Sequence, residues 1–148
     1  MVSPASLDHS ADRSHTVLIV DDDEYVHGTL EAALRGLHLH LLIASSAAEG
    51  ETLALEYRPA LAIIDVGLPD RSGYELTASL RRRGLGTRIL ILTGHAPDEA
   101  AAREAGADAI VAKPFRLHHF LDLVRQQLYS GTRPEPEPGL AARSSSAA

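Results

Sequence analysis

At 148 residues and 45% hydrophobic content, the chain has room for one domain with a real core plus tails, and two folded domains would be crowded. A formal charge of -6 and a pI near 5.7 argue against a broad electrostatic grip on nucleic acid or anionic lipid, and zero cysteines exclude disulfides and thiolate metal sites. No run approaches about 18 consecutive apolar residues, and the polar opening Met1 to Ser14 has no basic-then-apolar leader pattern, so a soluble cytoplasmic protein without membrane attachment is expected.

Residues 1–14 mix Ser, Asp and His with little apolar content and read as a flexible tail. Val17-Leu18-Ile19-Val20 is too short for a helix and suits a strand buried on both faces. After the acidic turn Asp21-Asp22-Asp23, Val26, Leu30, Ala33, Leu34 and Leu37 recur at helical spacing, with Gly36 near the stop. Leu39 to Ala44 predicts a second strand. Ser46-Ala47-Ala48-Glu49 then has the spacing of a capping box, opening a helix that runs to Tyr57. Leu61 to Ile64 is the third strand; it ends in Asp65, and the loop to Ser72 enters a helix at Gly73 with Leu76 and Leu80 on one face. Arg81-Arg82-Arg83 complements the dipole at that helix's end. Ile89 to Leu92 is the fourth strand, Pro97-Asp98-Glu99 reads as a first helical turn, and Ala105-Gly106 ends the Ala-rich helix that follows. Ala109 to Ala112 is the fifth strand, after which Leu117, Phe120, Leu121, Val124 and Leu128 mark an amphipathic helix and are expected to be mainly core. Alternating Pro and Glu, then Ser and Ala, make residues 130–148 a disordered tail, which leaves 15–129 as the folded domain.

Five strands alternating with five helices predict a doubly wound α/β domain with a parallel sheet and helices on both faces. Four of the apolar runs end in a polar group: the first in Asp21 and Asp22, the third in Asp65, the fourth in Thr93, the fifth in Lys113. A charge at the end of an apolar strand is costly unless something uses it. Ligands of such sheets bind outside the carboxyl ends of the strands, so these residues are expected to meet at one edge.

In this order the motifs resemble the receiver domain of bacterial response regulators. The matching pieces are Val17 to Asp22, Ile64-Asp65 with Pro69 and Gly73, Leu92-Thr93-Gly94, and Val111-Ala112-Lys113-Pro114-Phe115. The resemblance implies a flavodoxin-like sheet of order 2-1-3-4-5 and a phosphoryl group accepted on Asp65 from a histidine kinase or a histidine phosphotransfer protein. It also implies a metal ligand from the Gly67 backbone carbonyl and a cis peptide bond before Pro114. The chemistry agrees. Two like charges about 4 Å apart repel by roughly 1 kcal/mol in water and about 4 kcal/mol at an effective dielectric of 20, so an anionic phosphoryl group among carboxylates needs cations. Asp21 and Asp22 with Asp65 suit Mg²⁺, a hard ion that takes oxygen ligands; Lys113 supplies a point charge and Thr93 a hydroxyl donor. The expected role is a stand-alone receiver that signals to a downstream protein target, without a DNA-binding domain, and that catalyses only its own phosphorylation and dephosphorylation.

Several positions depart from the family pattern or read differently. Ile110 stands three residues before Lys113, where receivers usually carry an aromatic that couples to the Thr, so a swinging ring is excluded there. Gly67 and His95 occupy the variable places that flank the site; Gly67 offers no side chain to block or orient water, and His95 either acts on water or is solvated. His38 and His40 share one face of the second strand and are read as solvated rather than metal-binding. An Asp-nucleophile phosphohydrolase of haloacid-dehalogenase type is the alternative enzyme, but it wants an acid two residues after Asp65, where Gly67 stands. A flavin-binding module would have to seat a phosphate against Asp21-Asp22-Asp23, which repel it. A receiver-like adaptor acting without phosphorylation is the remaining reading.

Overall fold

The computed structural model describes residues 16–129. The two tails expected at 1–14 and 130–148 lie outside the described residues. Five strands, β1 (Thr16–Val20), β2 (His40–Ala44), β3 (Leu61–Asp65), β4 (Arg88–Thr93) and β5 (Ala109–Ala112), alternate with α1 (Glu24–Leu34), α2 (Ala47–Tyr57), α3 (Gly73–Arg82), α4 (Glu99–Ala105) and α5 (Leu117–Tyr129). All pairings are parallel, in the order β2-β1-β3-β4-β5. In register, Val20 sits against both Ala44 and Ile64, Asp65 against Leu92, and Thr93 against Ala112. The carboxyl ends of the strands therefore share one edge.

The two-residue period of a strand splits the core in half. Leu18, Val20, Ala62, Ile64, Ile89 and Ile91 pack under α2, α3 and α4, while Val17, Ile19, Leu61, Ile63, Leu90 and Leu92 pack under α1 and α5. Burial on both faces explains why these strands are continuous apolar runs rather than alternating ones. Two glycines allow the helices to lie close. A Cβ on Gly50 would sit 2.8 Å from a Val20 methyl, and one on Gly73 would sit 2.4 Å from the Asp65 carbonyl oxygen.

Several boundaries differ from the sequence expectation, each for a local reason. The first helix stops at Leu34; Arg35–Leu37 form a single 3-10 turn, and His38 follows at φ 55, in the left-handed region. The second strand then starts at His40 rather than Leu39, so His38 and His40 do not share a strand face. In α1 the inward residues are His27, Leu30 and Leu34. Helix α4 begins at Glu99, because Asp98 acts as its cap by accepting the Ala101 N–H; Pro97 thus stands before the cap and not in the first turn. At α2 the capping box is shifted: Ser46 accepts the Glu49 N–H, but the Glu49 carboxylate takes the N–H of Ser45. The complete box is at α3, between Ser72 and Glu75. In α5, Phe120 and Val124 are fully buried and Leu117 is 52% exposed, because Phe120 stacks on Phe115 with ring centroids 4.6 Å apart and turns that face inward. Arg81 does more than answer a helix dipole. Its guanidinium donates to the carbonyls of Leu85, Thr87 and Gly106 and to the Asp108 carboxylate, tying α3 to the turns before β4 and β5.

Candidate functional site

Asp65 is the last residue of β3 and is held from two sides. Its Oδ1 lies 2.8 Å from Lys113 Nζ, and its Oδ2 accepts the Gly67 N–H at 3.0 Å. Only 6% of the residue is exposed. Directly beside it, Asp21 is 1% exposed at the end of β1. One Asp21 oxygen accepts the Asp23 N–H at 2.9 Å and the other lies 3.4 Å from Lys113 Nζ. The acidic turn divides its labour: Asp21 faces inward, Asp22 is exposed at the rim, and Asp23 caps α1 by accepting the Tyr25 N–H.

Thr93 ends β4 and is buried; its hydroxyl oxygen accepts the His95 N–H at 3.1 Å. The Thr93 carbonyl accepts the Lys113 N–H at 2.7 Å, so one strand end sets the backbone of the other. The Lys113–Pro114 bond is cis. The sequence-selected residues Asp21, Asp22, Asp65, Thr93 and Lys113 thus come from four strand ends to one edge, with Gly67 in the loop beside Asp65. His95 is exposed, and Ile110 is half-buried against the core under α4.

Electrostatics follow from burial and shortage of positive charge. Burial pushes the Asp21 carboxyl above its ordinary value and the Asp65 charge adds to that, although the Asp23 N–H and Lys113 pull the other way. Burial alone would lower Lys113, but its contacts with Asp65 and Asp21 outweigh it and hold the ammonium above its ordinary value. Three carboxylates, Asp21, Asp22 and Asp65, bring oxygens within 4.8 Å of one another, and one ammonium answers them. That donor set, all hard oxygen with excess negative charge and one member open to solvent, fits a divalent cation such as Mg²⁺.

One residue that the sequence reading passed over supports the cluster. His27 is buried and donates through its ring Nε2 to the Asp21 carbonyl. Its signal was present: residues 27, 30 and 34 follow the inward helical spacing, with a polar ring among leucines.

A five-stranded parallel sheet of order β2-β1-β3-β4-β5 is the fold of the CheY-like receivers, and in this chain the acids gather beyond β1 and β3. The chain belongs to the response regulator receiver domain family, whose family model matches residues 17–125. The transcriptional regulatory protein KdpE of Mycobacterium tuberculosis is 32% identical over 118 residues, which cover 78% of this chain and 52% of that protein. The photosynthetic apparatus regulatory protein RegA of Cereibacter sphaeroides is 38% identical over 106 residues, covering 70% and 56%. The chain spans about half the length of the curated relatives it matches. Among solved structures, a CheY-like receiver domain protein from Methanospirillum hungatei superposes with a TM-score of 0.73 at 30% identity, covering 78% of this chain and 94% of that one. The chemotaxis response regulator CheY4 of Vibrio cholerae gives 0.71 at 25% identity, covering 76% and 97%. Among the described residues no helix is long and apolar enough to cross a membrane.

Proposed function

We propose that Asp65 accepts a phosphoryl group from a phosphohistidine of a sensor kinase or phosphotransfer protein, that Asp21, Asp22, Asp65 and the Gly67 carbonyl hold Mg²⁺ for this step, and that the domain then signals through altered contacts with a protein target. One observation carries the reading: the Asp65 carboxylate lies 2.8 Å from Lys113 Nζ within a cluster of three acids. An Asp65 oxygen attacks the phosphorus, the P–N bond to the partner's imidazole breaks, and the new P–O bond makes an acyl phosphate. When bound, Mg²⁺ neutralises the phosphoryl oxygens and the acids around them. Lys113 exchanges its contact with Asp65 for one with a phosphoryl oxygen. Thr93, whose oxygen already accepts from His95, turns its O–H toward another. Catalysis is then positioning and charge neutralisation, with no proton for the protein to remove from Asp65.

Incubation of the chain with Mg²⁺ and acetyl phosphate is expected to add one phosphoryl group by intact mass, and chelation of the metal is expected to prevent it. An equal gain in Asp65→Asn would overturn the assignment. Placement in the cytoplasm, alongside the catalytic face of a kinase, follows from the same reading.

A further inference from the structure

The first N–H groups of an α-helix have no partner inside it, and α2 satisfies its set unevenly. Ser46 takes the Glu49 N–H on its hydroxyl and the Gly50 N–H on its carbonyl. The two leading donors go to a residue from another element. Asp70 Oδ1 is 2.8 Å from the Ala47 nitrogen and Oδ2 is 2.9 Å from that of Ala48. The next residue, Arg71, reaches one turn further along α2 and donates to Glu51 at 2.7 Å. The other Glu51 oxygen is held by Ser79 at 2.6 Å and Arg83 at 3.1 Å, both beyond Gly73 on the α3 side. Two consecutive side chains therefore fasten the end of the β3–α3 loop to α2.

The beginning of the same loop is fastened to the acidic site. The Val66 N–H donates to the Leu92 carbonyl, the Gly67 N–H to Asp65, and the Gly73 N–H returns to the Val66 carbonyl. Between these anchors, Gly67 and Pro69 are exposed and Leu68 is half-buried. Gly67 has no side chain to pack, so its place depends on how the loop is held on either side.

We propose that Asp70 is a positioning residue for the divalent-cation site: by holding the loop against the start of α2 it keeps Gly67 in place beside Asp65. This rests on the reading of Asp21, Asp22, Asp65 and the Gly67 carbonyl as the groups that hold Mg²⁺. It makes α2 part of the site's support although its residues stand outside the acid cluster.

The test is titration of the full chain with magnesium chloride, followed by calorimetry and amide chemical shifts, for wild type, Asp70→Ala, Asp70→Asn and Ser46→Ala. Asp70→Ala is expected to weaken Mg²⁺ binding about tenfold, the scale at which outer supports of metal sites act. Asp70→Asn keeps one acceptor oxygen and loses less. Ser46→Ala uncaps the same helix without touching the loop, so it lowers thermal stability but keeps wild-type affinity. Wild-type affinity in Asp70→Ala, or an equal loss in Ser46→Ala, overturns the proposal, the latter because fraying of α2 would then be the cause. Absence of Mg²⁺ binding in wild type removes the underlying site reading itself, an outcome separate from these.

Discussion

Lys113 lies between Asp65 and Asp21, the two buried acids that also suit a cation; in the proposed function its ammonium would compete with the metal while it serves the phosphoryl group. Lys113→Ala is therefore expected to act in opposite directions. Removing the competing charge tightens Mg²⁺ binding several-fold by calorimetry. Removing a charge aimed at the reacting oxygens slows labelling by acetyl phosphate about a hundredfold. Weaker metal binding in the variant would show that the lysine organises the acids rather than competing for them. Asp21 gives the complementary case. It is buried beside another carboxylate, and in metal-free protein its charge is a burden that burial and Asp65 both increase. Asp21→Asn should melt a few degrees above wild type in the presence of a chelator, and should lose Mg²⁺-dependent labelling.

At the scale of elements, the site depends on how closely α3 meets β3. A methyl at position 73 would enter the space of the Asp65 carbonyl, so Gly73→Ala forces the helix start away from the strand that carries Asp65. An overpacking loss of about 1–3 kcal/mol in urea unfolding, with slower labelling, is expected. Glu51 joins α2 to α3. Its bond from Ser79, with help from Arg71 and Arg83 and against its burial, holds the carboxyl below its ordinary value of 4.5. A lowered native value means that Glu51 contributes its full stability above about 4.5 and loses it as pH falls through the native value. Glu51→Gln should cost about 2 kcal/mol at neutral pH, and the gap should close in acid; a gap that persists there would point to packing instead of charge. Elements of this kind were legible to different degrees. Continuous apolar runs marked every strand, and in β1, β3 and β4 burial on both faces removes the polar alternation that would blur them. Helix ends were legible where a capping serine stood at the right spacing, as at Ser46 and Ser72; they were less so at Leu34, where the chain tightens into a 3-10 turn, and at Asp98, which caps α4 by the N–H it reaches.

For the whole molecule, one topological rule made most of the site readable. Once the chain is a parallel sheet, residues that end different strands must share an edge, and Asp21, Asp65, Thr93 and Lys113 were visible as breaks after apolar runs. Supports that arrive from elsewhere were not visible. Asp70 reaches α2 across a separation of 23 residues, and Arg81 serves a turn 25 residues away, distances over which no local pattern operates. A site assembled from four strand ends exists only in the folded chain, so a cation bound there must stabilise the whole domain. At a concentration a hundred times its Kd, Mg²⁺ should add about 2.7 kcal/mol, which for a domain of this size raises the melting temperature on the order of 10 °C. Sodium chloride at equal ionic strength should not, because screening acts on exposed charges and Asp21 and Asp65 are buried. Thermal melts with each salt, repeated on Asp65→Asn, separate the possibilities: the magnesium shift should shrink sharply in the variant, and an undiminished shift would locate the cation somewhere other than the edge where β1 and β3 end.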